Sequence, residues 1–311
     1  MELRHVLGLH LGSAIAVRVR TLRSRKSIRG QLLVTHQIVW PFLGRSAAAL
    51  ALLPLACAMA IWVSWLNDNT VVREKAMAVT TDLTTPSAKI IAINHWVYRN
   101  QGFAPNDRYF LIPDLGPTPI QVLESGGDCG DKSRLVSAML RQLGIASGLV
   151  QIFPCRDCGP IHTVVEAEYE GGRMVVDPTW NVDYPSGNGN FLGIQELADT
   201  GRGREHIYDL QARRGLRDKL QFMPDADATF DYARAVNWQK NVLSRAAAFG
   251  FRMLGYDPEN MLRPHFLEDP KLALTLFLLI ITGMLVMTTF ILFVIFSRLE
   301  PSKNNPALMR R

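Results

Sequence analysis

The stretch Gly126-Gly-Asp-Cys-Gly-Asp-Lys-Ser-Arg-Leu-Val-Ser-Ala-Met-Leu-Arg-Gln-Leu-Gly-Ile145 decides the reading of this chain. Two glycines and an aspartate precede Cys129, and from Gly130 the pattern turns helical. Leu135, Met139 and Leu143 share one face, with Val136 and Leu140 beside them. Asp131 falls in the first turn and Arg141 in the last, as the helix macrodipole favours. Gly144 ends the helix. Cys129 therefore sits at a helix N-terminus, a position that lowers the pKa of a thiol.

Working outward, Lys89–Tyr98 carries Ile90, Ile93 and Val97 at helical spacing. The stretch from there to Gly127 reads as loop, with Pro113, Pro117 and Pro119 as its punctuation. Downstream, Gly148–Phe153 is an apolar strand. His162–Glu170 alternates, with Thr163, Val165, Ala167 and Tyr169 on one face and Glu166, Glu168 and Glu170 on the other. Gly171-Gly172 reads as a two-residue hairpin turn, Arg173–Asp177 as the return strand, and Pro178 as its end. Beyond Tyr184 the pattern weakens, although Ala233–Met253 has helical character. A helix followed by antiparallel strands predicts an α+β domain.

Three residues in this frame suit nucleophilic catalysis. A thiol at a helix start gains further from an imidazolium alongside. An imidazole acting as base needs an acceptor to orient its second nitrogen. His162 opens the first hairpin strand and Asp177 closes the second. Their strands are unequal in length, so the two need not face each other. Either a bulge or His162 lying just before the pairing begins lets them meet. Each residue alone has a structural reading as well: Cys129 as a small buried group, His162 as a hydrogen-bonded strand end, Asp177 as a turn former before proline.

Together, Gly126-Gly-Asp-Cys129-Gly-Asp-Lys-Ser133, Leu140-Arg-Gln-Leu-Gly-Ile145, the His162 strand and Asp177-Pro-Thr-Trp180 resemble the core of the transglutaminase-like superfamily. The resemblance runs from Lys89 to roughly Tyr184. It implies a papain-like fold, in which a helix carrying the cysteine packs on an antiparallel sheet carrying the histidine and aspartate. It also implies Cys129 as nucleophile, His162 as general base and acid, and Asp177 as orienter. The implied chemistry is acyl transfer through a thioester, with an amine or water as acceptor. No cofactor and no metal are expected, and a calcium-dependent activation has no supporting acidic cluster in the sequence. The backbone N–H of Cys129 is available to an oxyanion, and Trp96 and Gln121 are side-chain candidates. A non-catalytic module that binds a partner in envelope or polymer-export assembly is the alternative.

Cys155-Arg-Asp-Cys158 lies just upstream of His162 and departs from that pattern. A local disulfide is expected if the domain faces an oxidising compartment. A zinc site built from Cys155, Cys158, His162 and Cys129 is a permissible ligand set, and a redox pair is the third reading.

The chain has 311 residues, 34 Lys+Arg and 28 Asp+Glu, for a net charge of +6. Residues 1–46 hold eight basic groups and one acid, and residues 297–311 hold four and one. Residues 67–270 hold 21 basic and 26 acidic groups, a net of −5. A nucleic-acid-binding body is therefore not expected, because phosphate recognition gathers basic groups on the binding face. Four cysteines exclude a disulfide-dense scaffold. Ser46–Leu66 and Leu272–Phe296 carry no charge over 21 and 25 residues, enough to cross a bilayer. Pro54 interrupts the first, and Trp62 and Trp65 lie near its end, where an aromatic belt belongs. The basic leader is long for a cleaved signal, so an uncleaved signal-anchor is expected. Cys57 reads as a small membrane residue, with lipidation the alternative.

Because Lys and Arg mark short cytoplasmic flanks, the expected order is a basic segment 1–45, a crossing at 46–66, an outer domain at 67–270, a crossing at 271–296 and a cytoplasmic tail at 297–311. Val6–Val17 and Leu32–Leu43 suit surface-lying amphipathic elements. Such an anchored cysteine enzyme is expected to meet a peptide, protein or envelope substrate outside the cytoplasm.

Overall fold

The computed structural model describes residues 49–103, 107–153, 155, 159–186, 189–200, 230, 233–236, 238, 242–258 and 261–299. The two amphipathic stretches and both basic flanks of the sequence lie outside these residues, apart from Arg298. The chain divides into two units, one of them Ala58–Phe277 and the other outside those bounds. In the second unit the described residues, 49–57 and 278–299, are helical.

The elements run α1 (Ala49–Val79), α2 (Pro86–Arg99), α3 (Pro119–Ser125), α4 (Cys129–Gln142), β1 (Ser147–Ile152), β2 (His162–Tyr169), β3 (Gly172–Asp177), β4 (Val182–Asp183), α5 (Ile194–Thr200), α6 (Val242–Met253) and α7 (Pro270–Leu299). The four strands form one antiparallel sheet in the order β1-β2-β3-β4. The domain is α+β, with a helix bearing Cys129 on an antiparallel sheet bearing His162 and Asp177.

Both sheet faces are covered. On one, Val165, Ala167, Met174 and Val176 pack against Ile90, Ile93 and Val97 of α2 and Leu135 and Met139 of α4. Val72 and Ala76 of α1 join this core. The valine, leucine, isoleucine and methionine side chains among these contribute roughly 1.5–3 kcal/mol each when fully buried. On the other face, Val150, Ile152, Val164 and Val175 meet Val182, Tyr184, Leu197 and Phe230. The polar face expected of β2 is thus half right. Glu166 is buried, and its carboxylate accepts the Ile194 N–H at 2.9 Å, which holds α5 against the sheet.

Three expectations shift. The stretch before Gly127 is not all loop: Pro119 opens α3 as its first residue, where a missing N–H costs nothing, and Thr118 and Gln121 form a capping box. The hairpin turn is Glu170-Gly171, because Tyr169 pairs with Gly172, which begins β3 at φ 130°. The helix expected from Ala233 begins at Val242.

Two helices, Ala49–Val79 and Pro270–Ile295, are long and apolar enough to cross a membrane, and they flank the domain in sequence. Leu52, Leu53, Phe277, Ile280, Phe290 and Phe293 on them are exposed, the opposite of a soluble core helix.

Candidate active site

Cys129 is the first residue of α4, and the residues around it explain why the helix starts there. Asp128 is the N-cap: its carboxylate accepts the Asp131 N–H at 3.0 Å, and Asp131 returns the contact to the Asp128 N–H at 3.4 Å. This reciprocal cap satisfies two donors that a helix start would otherwise leave open. Gly126 is at φ 78°, a conformation that favours glycine. A Cβ on Gly127 would meet the Asp131 Cβ at 2.4 Å. Only glycine lets the chain approach its own capping residue this closely. Burial, and then the neighbouring Asp128, raise the Asp131 pKa to about 6, against opposing contributions from Arg134 and the Asp128 hydrogen bonding.

Two further contacts fix α4 in place. The Ser133 hydroxyl donates to the Thr163 carbonyl at 3.0 Å, next to His162. Lys132 is 1% exposed, and its ammonium donates to the carbonyls of Val97, Tyr98 and Asn100 at 2.8, 3.2 and 3.1 Å. It closes the C-terminus of α2, which otherwise leaves carbonyls unpaired. Burial lowers its pKa to about 8.

The sheet supplies the other two residues. In the β2–β3 ladder Val165 pairs with Val176. Extending that register by one residue sets Asp177 against Val164, two residues after His162. Directly opposed residues share a face, and so do residues two apart on one strand. His162 and Asp177 are therefore diagonal neighbours on one face, and no bulge is involved. His162 lies just before pairing with β3 begins, while on its other side it pairs with Ile152 of β1.

The diagonal is closed by a 2.7 Å hydrogen bond between His162 Nε2 and Asp177 Oδ2. Asp177 is fully buried. Its other oxygen accepts the Thr179 N–H at 2.8 Å and the Trp180 N–H at 3.3 Å, so the carboxylate cannot turn away. Pro178 shapes this turn, which explains the Asp-Pro-Thr-Trp wording. The Cys129 thiol lies close enough to the His162 imidazole to favour its charged form. With Nε2 engaged by Asp177, Nδ1 is the nitrogen left for sulfur. Burial alone depresses the imidazole pKa. The Asp177 charge and hydrogen bond, with the Cys129 contact added, outweigh that and raise it to about 10. His162 is thus an imidazolium at neutral pH.

The structure brings His162 and Asp177 together, with Cys129 near the imidazole at the head of α4. Of the four cysteines in the chain, Cys57 and Cys129 are free and Cys155 is disulfide-bonded. Cys158 lies outside the described residues. The disulfide withdraws Cys155 from the alternative zinc set. Of the two oxyanion candidates, Gln121 is engaged in the cap of α3, and Trp96 packs on the core with the Lys75 ammonium 5.6 Å from its ring centre. Ser133 and Lys132 were not singled out from the sequence. The reciprocal cap had a sequence signal in Asp128-x-x-Asp131, while nothing marks Lys132 as buried.

Residues 73–178 match the model of the transglutaminase-like superfamily. No curated protein matches the chain. Among solved structures, a "putative cysteine protease" from Cytophaga hutchinsonii is 21% identical, with a TM-score of 0.31, over 40% of this chain and 40% of that one. A "putative protease" from Parabacteroides distasonis is 16% identical, with a TM-score of 0.24, over 35% of this chain and 26% of that one. The chain thus spans less than half the length of either protein. Residues 73–178 are thus the part of the chain that is similar to the transglutaminase-like superfamily.

Proposed function

We propose that the chain is a membrane-anchored cysteine enzyme that transfers acyl groups from peptide or amide donors through a thioester on Cys129. The observation that carries this reading is the 2.7 Å His162–Asp177 hydrogen bond, made by an imidazole whose charged form Cys129 at the head of α4 also favours. An imidazolium and a helix N-terminus are two surroundings that favour thiolate over thiol. The thiolate sulfur attacks the donor carbonyl carbon, and the electron pair moves to oxygen. When the tetrahedral intermediate collapses, the C–N bond breaks and His162 gives its Nδ1 proton to the leaving amine. His162, now neutral, takes a proton from the incoming water or amine as it attacks the thioester. Sulfur leaves as thiolate and the ion pair is restored. Asp177 stays ionised throughout, holding the ring and stabilising its charge.

The two apolar helices support a two-pass reading. The clustering of Lys and Arg at both ends of the sequence supports cytoplasmic termini and an extracytoplasmic domain. The disulfide at Cys155 suits that side of the membrane. The substrate then belongs to the cell envelope. A membrane-impermeant, thiol-reactive acyl-mimic probe applied to intact cells expressing the full chain tests this. Labelling is expected on Cys129 and lost in Cys129→Ala, and labelling that survives the substitution rejects the reading.

A further inference from the structure

One row of the sheet interrupts the apolar face that α4 covers. Thr163 alternates with Val165 on β2, so it lies on the face packed under α4. A Cβ placed on Gly130, the residue after Cys129, would lie 3.9 Å from Thr163 Oγ1. Gln151 of β1 pairs with Thr163. Arg234 pairs with Gln151 from the outer side, through two backbone hydrogen bonds of 2.9 Å. Directly opposed residues share a face. Thr163, Gln151 and Arg234 are therefore side by side on one face, in a row that starts next to His162 and Gly130 and ends at the sheet edge. Two residues further along the same two strands, the corresponding pair is Val165 and Leu149.

The row holds donors that the fold does not use. Among the described residues, no hydrogen bond or ion pair engages the Thr163 hydroxyl, the Gln151 amide or the Arg234 guanidinium. Gln151 and Arg234 are half-buried, so both remain within reach of a ligand. The contrast with other arginines is direct: Arg108, Arg134, Arg141 and Arg173 each face a carboxylate. Residues 67–270 hold 26 acidic groups against 21 basic, so the domain does not lack partners for Arg234. Its guanidinium instead lies 5.8 Å from the ring centre of Phe153, which is 2% exposed. A guanidinium set against an aromatic ring keeps its N–H edge for a planar anion. The two backbone bonds to Gln151 fix the strand that carries it.

The spacing matches a substrate that reacts at Cys129. Gln151 exchanges both backbone bonds with Arg234, so its pair with Thr163 is the closer, non-hydrogen-bonded kind. The row then spans about 10 Å from the Thr163 backbone to that of Arg234. An extended peptide covers that distance in about three residues.

We infer that this row is a carboxylate subsite, and that the chain takes peptide amides bearing an acidic residue within about three positions of the bond it opens. Arg234 donates two N–H groups to the carboxylate, and the Gln151 amide donates another. This rests on the thioester reading above. The test uses the full chain and two families of thiol-reactive peptides, read by the mass of the Cys129 peptide. Vinyl sulfones carry their side chains on the acyl side of the electrophile, and iodoacetyl peptides carry them on the leaving-amine side. Each peptide has glutamate or glutamine at one of the nearest positions, out to about three residues. At one or more positions the glutamate form should label Cys129 about tenfold faster than its glutamine twin. Arg234→Gln should bring that ratio to about one, and Arg234→Glu should turn the preference toward a lysine form. The ratio within each variant does not depend on how much of it folds. Equal rates for glutamate and glutamine at every position, or a glutamate preference that persists in Arg234→Gln, overturn the subsite and leave the thioester reading intact. If no peptide of either family labels Cys129 while iodoacetamide does, the acyl-transfer reading fails and takes the subsite with it.

Discussion

Replacing Asp177 by asparagine changes one atom and separates two roles. The buried carboxylate serves two customers: Oδ2 bonds His162 Nε2 at 2.7 Å, and Oδ1 accepts the Thr179 and Trp180 N–H groups. An asparagine has a single oxygen. If that oxygen keeps the two backbone donors, its NH2 faces Nε2, which must then be unprotonated. The ring is left neutral with its proton on Nδ1, pointing at the thiol, and no imidazolium supports a thiolate. Without the Asp177 charge, burial is the main remaining influence, and it lowers the His162 pKa from its ordinary 6.5 instead of raising it to about 10. Near neutral pH the imidazolium fraction falls from essentially all to roughly a quarter or less. Adding the wrong tautomer, the loss in acyl-transfer rate should be on the order of 10³.

The assay needs no substrate. Alkylation of Cys129 by iodoacetamide is followed by mass against pH, while nitrogen NMR of labelled His162 gives its titration midpoint. Asp177→Asn should move the midpoint below about 7 and slow alkylation near neutral pH. A variant whose His162 still titrates near 10, or whose alkylation profile matches wild type, refutes the assignment of Asp177 as the group that charges the ring.

Further expectations follow from the surrounding contacts. Gly127→Ala puts a Cβ against the Asp131 Cβ, so the cap must open. The loss should be about 1–2 kcal/mol, read as a lowered Tm, together with slower Cys129 alkylation. Ser133→Ala frees the Thr163 carbonyl. It should reduce alkylation several-fold with a stability loss of about 1 kcal/mol. Lys132→Met removes the ammonium from the carbonyls of Val97, Tyr98 and Asn100 and should cost about 1–3 kcal/mol. It also alters the alkaline response. With the folded-state pKa of Lys132 lowered to about 8 from 10.5, the unfolded chain holds more protons between those values, so this residue makes stability rise with pH there. For His162, raised to about 10 from 6.5, the stabilisation is complete below pH 6.5 and is lost as pH climbs to about 10. Removing Lys132 should therefore steepen the fall in Tm above pH 8, and an unchanged slope contradicts the burial argument. Peptide mapping without reductant should recover Cys155 in a disulfide and Cys129 as a free thiol.

The helix bearing Cys129 was legible because its apolar spacing, first-turn acid and terminal glycine agree with one another. The strands bearing His162 and Asp177 were legible from alternation and a glycine turn. The turn moved by one residue because Tyr169 and Gly172 form the last pair, and side-chain pattern alone does not place a tight turn between two glycines. The burial of Glu166 was hidden, since an alternating strand looks alike whether its polar face meets water or a later helix whose N–H it accepts. The extension of α1 beyond Asp68 and the burial of Glu268 were hidden for a similar reason. Both depend on contacts more than 60 residues away in sequence, such as Gln142 to Asn69 and Glu268 to Leu149. The unequal strand lengths left the meeting of His162 and Asp177 open, and the register resolved it as a diagonal pair.

The decisive measurement is the mass of the full chain after brief exposure to envelope extract and rapid acid quench. Acyl transfer by Cys129, His162 and Asp177 predicts an added acyl mass on the Cys129 peptide that hydroxylamine removes and that is absent from Cys129→Ala. A chain that stays unmodified in extracts where Cys129 still reacts with iodoacetamide, or that carries the same adduct after Cys129→Ala, contradicts it.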